Sequence, residues 1–288
     1  MGVFAEDSAR IANPQHRTSR LITIENLKYY TEVKGFGQPI ICFHGFAENL
    51  STWEFIQLND CQMVLVDLIG HGHSEKPHSP EPYSLPNLLR HLHELIDHLG
   101  FTRYFLLGYS MGGRIALAYG LAYPSEVQGL ILESSSYGVC HEGNRAQRRQ
   151  QDVWLAEAIQ EKGGEWFNQY WSNLDLFASQ NQLPQEIRSK INARRLQNAP
   201  HGLANTLLGS GQGIFPCLKD QIADLPMPTL YINGEYDEKY KEIGQDFIKL
   251  NPQIKREIIP GVGHNSHIEK PAVFQEAVNS FLSSLRSM

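Results

Sequence analysis

Two rhythms of hydrophobic and polar positions run through the first third of the chain. LKYYTEV at 27–33 alternates polar with apolar residues, the period-two pattern of an antiparallel strand with one covered face. PIICFHG at 39–45 and MVLVDLIG at 63–70 are short, continuous apolar runs. Such runs predict strands of a parallel sheet buried on both faces. RYFLLGYS at 103–110 and GLILESS at 129–135 repeat that texture. Between them, LPNLLRHLHELIDHLG at 85–100 carries helical spacing and stops on a glycine, and MGGRIALAYGLAYP at 111–124 is helical up to Pro124.

From about Gly138 to Gly213 the apolar runs disappear. Arg, Gln, Asn and Trp dominate, and helical periodicity takes over. Strand texture returns in PTLYINGEYD at 228–237 and REIIPGVGH at 256–264, and PAVFQEAVNSFLSSL at 271–285 closes as an amphipathic helix. Strands alternating with helices on both sides of a helical block predict a mostly parallel sheet flanked by helices and interrupted by an insertion. The expected division is a loosely ordered extension over 1–20, a core over 21–137 and 214–288, and a helical cap over 138–213.

Composition narrows the partners. The 288 residues carry a net charge of -6, which gives no electrostatic reason to expect nucleic acid or an anionic membrane surface. No apolar run approaches the roughly 18 residues a membrane span needs. The first 20 residues lack an apolar signal core, and Glu6 breaks the myristoylation pattern that Gly2 would open. Cys42, Cys61, Cys140 and Cys217 show no paired or metal-type spacing, so they read as reduced thiols in a cytoplasmic protein, with no metal and no cofactor expected.

The chemistry starts at Gly108-Tyr109-Ser110-Met111-Gly112. G-x-S-x-G between a buried strand and a helix is the nucleophile elbow of the α/β-hydrolase fold, where a sharp turn lifts the serine hydroxyl above the sheet. The oxyanion hole is then expected from the backbone N–H of Met111 and of Phe46, in the loop after the earlier strand. His44 in that loop reads as structural, as does the Gly/His turn from Asp67 to Ser74.

The acid and the base should follow the serine in that order. His91, His93 and His98 lie on a helix away from any strand end. His264 follows the last strand and can reach back over Ser110, with His267 as the weaker candidate. Asp237 ends the strand before it and is the expected acid, with Glu133 as the alternative.

The run Tyr109-Ser110-Met111-Gly112-Gly113-Arg114 resembles the elbow of the 2-succinyl-6-hydroxy-2,4-cyclohexadiene-1-carboxylate synthases of menaquinone biosynthesis. The likeness continues through Asn144-Arg145-Ala146-Gln147-Arg148-Arg149 with Asp152 after it, Tyr170-Trp171, Arg194-Arg195-Leu196-Gln197-Asn198, and Gly263-His264-Asn265-Ser266-His267. It covers about residues 25–285. It implies a lyase that eliminates pyruvate from 2-succinyl-5-enolpyruvyl-6-hydroxy-3-cyclohexene-1-carboxylate, with Ser110 as general base. It also implies that Arg114, Arg148 and Arg195 hold the carboxylates of this small polycarboxylate substrate, and that Tyr109 and Trp171 line its pocket. Arginine suits that task because its planar fork pairs with a carboxylate through two bonds. Without the resemblance, an arginine in a helical cap reads as solvated surface, and Arg145, Arg149 and Arg194 are left so. Fold alone leaves open a hydrolase of an ester, thioester or C–C bond, or a ligand-binding protein with an intact triad.

Overall fold

The computed structural model describes residues 17–286. Eight strands form one sheet in the order β1-β2-β4-β3-β5-β6-β7-β8. In chain order these are β1 (Arg17–Ile24), β2 (Leu27–Gly35), β3 (Gln38–Phe43), β4 (Cys61–Val66), β5 (Tyr104–Tyr109), β6 (Val127–Glu133), β7 (Thr229–Gly234) and β8 (Lys255–Ile259). β1 pairs with β2 and β2 with β4 antiparallel, and every later pairing is parallel. The helices are α1 (Leu85–His98), α2 (Met111–Ala122), α3 (Glu142–Ser172), α4 (Gln185–Leu196), α5 (Pro200–Ser210), α6 (Glu238–Leu250), the single turn α7 (Ser266–Glu269) and α8 (Pro271–Arg286).

The apolar runs are buried on both faces because successive side chains of a strand point to opposite sides. On β3, Ile41 and Phe43 pack with Leu88 and Leu92 of α1 and Ile115 of α2. Their neighbours Ile40 and Cys42 pack on the other face with Phe274, Val278 and Phe281 of α8. A third, smaller cluster joins Ala47 of the core to Leu155, Ile159 and Phe167 of α3 and Leu203 and Leu207 of α5. It seats the cap over the carboxyl ends of the parallel strands, where open α/β sheets hold their ligands.

The structure departs from the sequence reading at three places. Residues 17–20 belong to β1, paired along β2 from Arg17↔Lys34, so the extension expected over 1–20 gives way at Arg17; residues 1–16 lie outside the described residues. Cys140 and Cys217 form a disulfide with a sequence separation of 77, against the expectation of four reduced thiols. The two cysteines flank the helical insertion, and an insertion's ends must converge where the chain leaves and rejoins the sheet. Backbone pairing of Leu218 N–H with Tyr137 O at 2.7 Å closes the same neck. Cys42 and Cys61 are free and buried. Arg194, read as surface charge, is buried in the interface that α4 makes with the core.

Candidate active site

Ser110 stands between β5 and α2 with φ 52 and ψ −106, a conformation L residues avoid and hold only where the surroundings over-determine it. The surroundings here are backbone. A Cβ at Gly108 would come within 2.4 Å of Gly112 O, and a Cβ at Gly112 within 2.3 Å of Phe43 O. Only glycine at both positions lets the turn close this tightly against β3. Ser110 N–H donates to Glu133 O at 2.8 Å, which fixes the turn from the β6 side.

His264 and Asp237 complete a connected set. His264 Nδ1–H donates to Asp237 Oδ2 at 2.8 Å, and Nε2 lies 3.0 Å from Ser110 Oγ, placed to accept its proton. His264 and Asp237 are both buried, and the Tyr240 ring lies 4.6 Å from the imidazole. Glu133, the alternative acid, is engaged elsewhere: it accepts from His267 Nδ1 at 2.6 Å, His267 N–H at 3.0 Å and Ser266 Oγ at 2.6 Å. His267 in turn meets Thr52 Oγ1 at 2.7 Å and stacks on Trp53. This second carboxylate–imidazole pair braces the loop that carries His264.

Met111 opens α2, so its N–H is one of the donors a helix leaves without an intrahelical partner. Phe46 lines the same cavity from the β3 loop. His44 holds that loop: its Nδ1–H donates to Gly45 O at 2.7 Å and its Nε2 accepts Leu68 N–H at 3.0 Å. Both bonds require the neutral ring, and burial pushes the His44 imidazole down to about 4. The neighbouring turn is tied by Asp67, which accepts from Leu50 N–H and His73 N–H, each at 2.7 Å.

The cavity over Ser110 holds about 570 Å³. Tyr109, Arg114, Arg148 and Trp171 line it together with Ser110, Met111 and His264. Tyr109 is buried, its ring 5.3 Å from the His264 ring. Arg114 is buried with its guanidinium 5.5 Å from the centre of the Phe215 ring, and burial brings its pKa down to about 10. Arg148 reaches in from α3 and pairs with Asp152 at 2.8 Å. Trp171 packs edge-on against Phe46 at 5.2 Å, joining the cap to the loop after β3. Arg195 stands apart from these: it does not line the cavity but packs against the lining residue Phe177, 5.1 Å from that ring, with Nη1 donating to Ser172 Oγ at 2.6 Å.

Further lining residues carry weaker sequence signals. Glu48, from the loop after β3, is buried and lies 3.6 Å from Arg194. Asp152 follows Arg148 by four residues on one helix, a spacing that brings opposite charges together. Tyr240 follows Asp237 by three residues and has no motif to mark it. A second hollow of about 800 Å³, lined by Lys34, Gly35, Cys61 and others, opens at the amino ends of the parallel strands and contains none of the triad. Among the described residues no cluster of three or more His, Cys, Asp or Glu is set to hold a metal, and no helix is long and apolar enough to cross a membrane.

Residues 38–271 match the alpha/beta hydrolase fold family. A protein of Bacillus subtilis (strain 168) that carries the name 2-succinyl-6-hydroxy-2,4-cyclohexadiene-1-carboxylate synthase is 38% identical over 250 residues, covering 86% of this chain and 91% of that protein. The chain belongs to the 2-succinyl-6-hydroxy-2,4-cyclohexadiene-1-carboxylate synthase family of α/β hydrolases. The synthase of Salmonella typhimurium (strain LT2) is 28% identical over 242 residues, covering 82% of this chain and 92% of that one. Among solved structures, MenH from S. aureus superposes with a TM-score of 0.83 at 31% identity, over 94% of this chain and 99% of that one. An esterase from Thermogutta terrifontis superposes at 0.80 with 23% identity, covering 94% and 99%, and shares the fold.

Proposed function

We propose that the chain is a carbon–oxygen lyase that eliminates pyruvate from 2-succinyl-5-enolpyruvyl-6-hydroxy-3-cyclohexene-1-carboxylate, giving 2-succinyl-6-hydroxy-2,4-cyclohexadiene-1-carboxylate. The observation that carries this reading is one cavity in which an assembled Ser110–His264–Asp237 set faces Arg114 and Arg148. Membership of the synthase family supports it from the side of sequence.

In this reading the Ser110 hydroxyl passes its proton to His264 as its oxygen takes the ring proton beside the succinyl ketone. Asp237 holds the imidazole tautomer and stabilises the imidazolium. The electrons released from the C–H bond move onto the ketone oxygen, where the N–H groups of Phe46 and Met111 meet the developing charge. They then return to form a ring double bond to the neighbouring carbon, the existing ring double bond shifts by one position toward the leaving group, and the C–O bond to the enolpyruvyl group breaks. The departing enolate takes up a proton and becomes pyruvate. No acyl-enzyme forms and no water is consumed. A positioned base contributes about 10²–10⁴-fold and one oxyanion donor about 10²–10³-fold.

The arginines would bind and orient the substrate's carboxylates, Arg114 and Arg148 directly from the cavity wall. Arg195 lies outside the cavity lining and would join them only through a rearrangement of the cap. The reading places the enzyme in the cytoplasm, where a multiply charged precursor unable to cross a bilayer is retained.

The test follows pyruvate release from the enolpyruvyl substrate by coupling to a dehydrogenase, with p-nitrophenyl esters in parallel. Stoichiometric pyruvate release with slow ester turnover is expected. Rapid ester turnover without pyruvate would overturn the reading in favour of a hydrolase.

A further inference from the structure

Asp152 is a buried carboxylate in the wall of a cavity read as binding a polyanion. Placing an anion there costs affinity through repulsion unless it performs a task. Its two oxygens are both engaged. Oδ1 accepts Arg148 Nε–H at 2.8 Å, and Oδ2 accepts Gly213 N–H at 2.9 Å. The first bond lies on the helix that presents Arg148. The second reaches the segment by which the cap returns to the core, where a Cβ on Gly213 would come within 2.3 Å of Arg149 Cα.

The geometry selects one edge of the guanidinium. Arg has five N–H donors in a rigid plane, and occupying Nε leaves the terminal Nη1/Nη2 fork for a second carboxylate. The long side chain would otherwise surrender considerable rotamer freedom on meeting a ligand, and a prior ion pair removes part of that cost before binding. Charge gives a second role. Arg114 and Arg148 face the same cavity; burial depresses the Arg114 pKa, Arg148 depresses it further and Asp152 opposes that. Asp152 thereby offsets part of the positive charge that Arg114 and Arg148 bring to the cavity wall.

We propose that Asp152 is a positioning residue of the substrate site, which aims the Arg148 fork into the cavity and tempers the positive charge of the Arg114–Arg148 pair. The proposal rests on the pyruvate-lyase reading for its substrate, but the contact itself does not.

The experiment is a double-mutant cycle of Asp152→Asn, Arg148→Ala and both together. Asn keeps an acceptor for Gly213 N–H and loses the charge pair. Asp152→Asn is expected to raise KM about tenfold with kcat changed less than about threefold, as loss of a charged hydrogen bond would. In the Arg148→Ala background the same substitution should change KM less than about twofold. An unchanged KM in the single variant, or an equal loss with and without Arg148, would overturn the proposal and leave Asp152 as a staple of the cap neck. If Asp152→Asn does not fold, Asp152→Glu, which keeps the charge and displaces the contact, enters the same cycle with the same expected pattern. Calorimetric titration with trimesate, a ring bearing three carboxylates, runs beside the kinetics. Absence of pyruvate release from the unmodified enzyme would defeat the lyase reading, while the trimesate cycle would still decide whether Asp152 acts through Arg148.

Discussion

The floor and the roof of the cavity are built by different means. On the floor, Ser110 and Met111 are placed by backbone: a positive-φ serine, glycines that admit only hydrogen at van der Waals contact, and a backbone hydrogen bond to β6. In the roof, Arg148 is placed by a carboxylate, Asp152 at 2.8 Å, as Arg194 is by Glu48 at 3.6 Å in the interface between cap and core. Backbone packing tolerates little displacement, so it suits atoms whose separation sets a reaction rate. An ion pair leaves a long side chain more play, so it suits a group that must meet a second carboxylate while holding the first.

Removing the floor's chemistry should have the largest effect. Ser110→Ala is expected to lower kcat by about 10²–10⁴-fold, the contribution of a positioned base, with little change in thermal stability. A stopped assay of pyruvate release measures it, and a loss below about tenfold would mean the hydroxyl is not the base.

The roof answers next, through its neck. Replacing Cys140 and Cys217 by Ser frees a long loop in the unfolded chain and should cost about 2–4 kcal/mol. Calorimetry of the variant against the parent reads this directly. Because the disulfide closes the cap and not the sheet, a cap-specific transition below the main one is expected. A variant that melts with the parent would show the backbone pairing at Tyr137 and Leu218 to be sufficient.

Acid should act on the floor more than on the roof. His44 titrates at about 4 when folded, against an ordinary 6.5, so the unfolded chain binds the extra proton between those values. Stability from this group is therefore complete above pH 6.5 and falls as pH drops toward 4, by roughly 3 kcal/mol in all. Thermal melts across that window should show the slope, and His44→Gln should lessen it, the remainder belonging to His71 and His91, whose imidazoles burial also pushes down. An equal slope in both proteins would place the titrating group elsewhere.

The same contrast governs what the sequence discloses. The floor was legible because its determinants are local: five residues at the elbow, and apolar runs with a fixed period. Asp237 and His264 follow from their places after strand ends. The roof is read less well because its determinants are pairs distant in sequence. Arg194 looks like a surface residue until α4 is seen lying on the β3 loop that carries Glu48. Cys140 and Cys217 carry no spacing signal across 77 residues. Arg195 stands with Arg114 and Arg148 among the arginines the resemblance marks, yet it packs against Phe177 outside the cavity lining, and no pattern of residue types encodes which arginine of the cap reaches the cavity. The helix Glu238–Leu250 escapes for a milder reason: its buried residues Tyr240, Gly244 and Phe247 are sparse among charges.

The bond between Cys140 and Cys217 has a mechanical meaning as well. The described ends of the chain, β1 and α8, both belong to the sheet-bearing core. A pull applied to them loads the strands, and past the bridge the tension runs through sulfur and bypasses the cap. The helices from Glu142 to Ser210 would then hang as a closed ring outside the line of force. Stretched in an optical trap, the oxidised protein should come out shorter than the reduced one by about 270 Å, the reach of the enclosed loop.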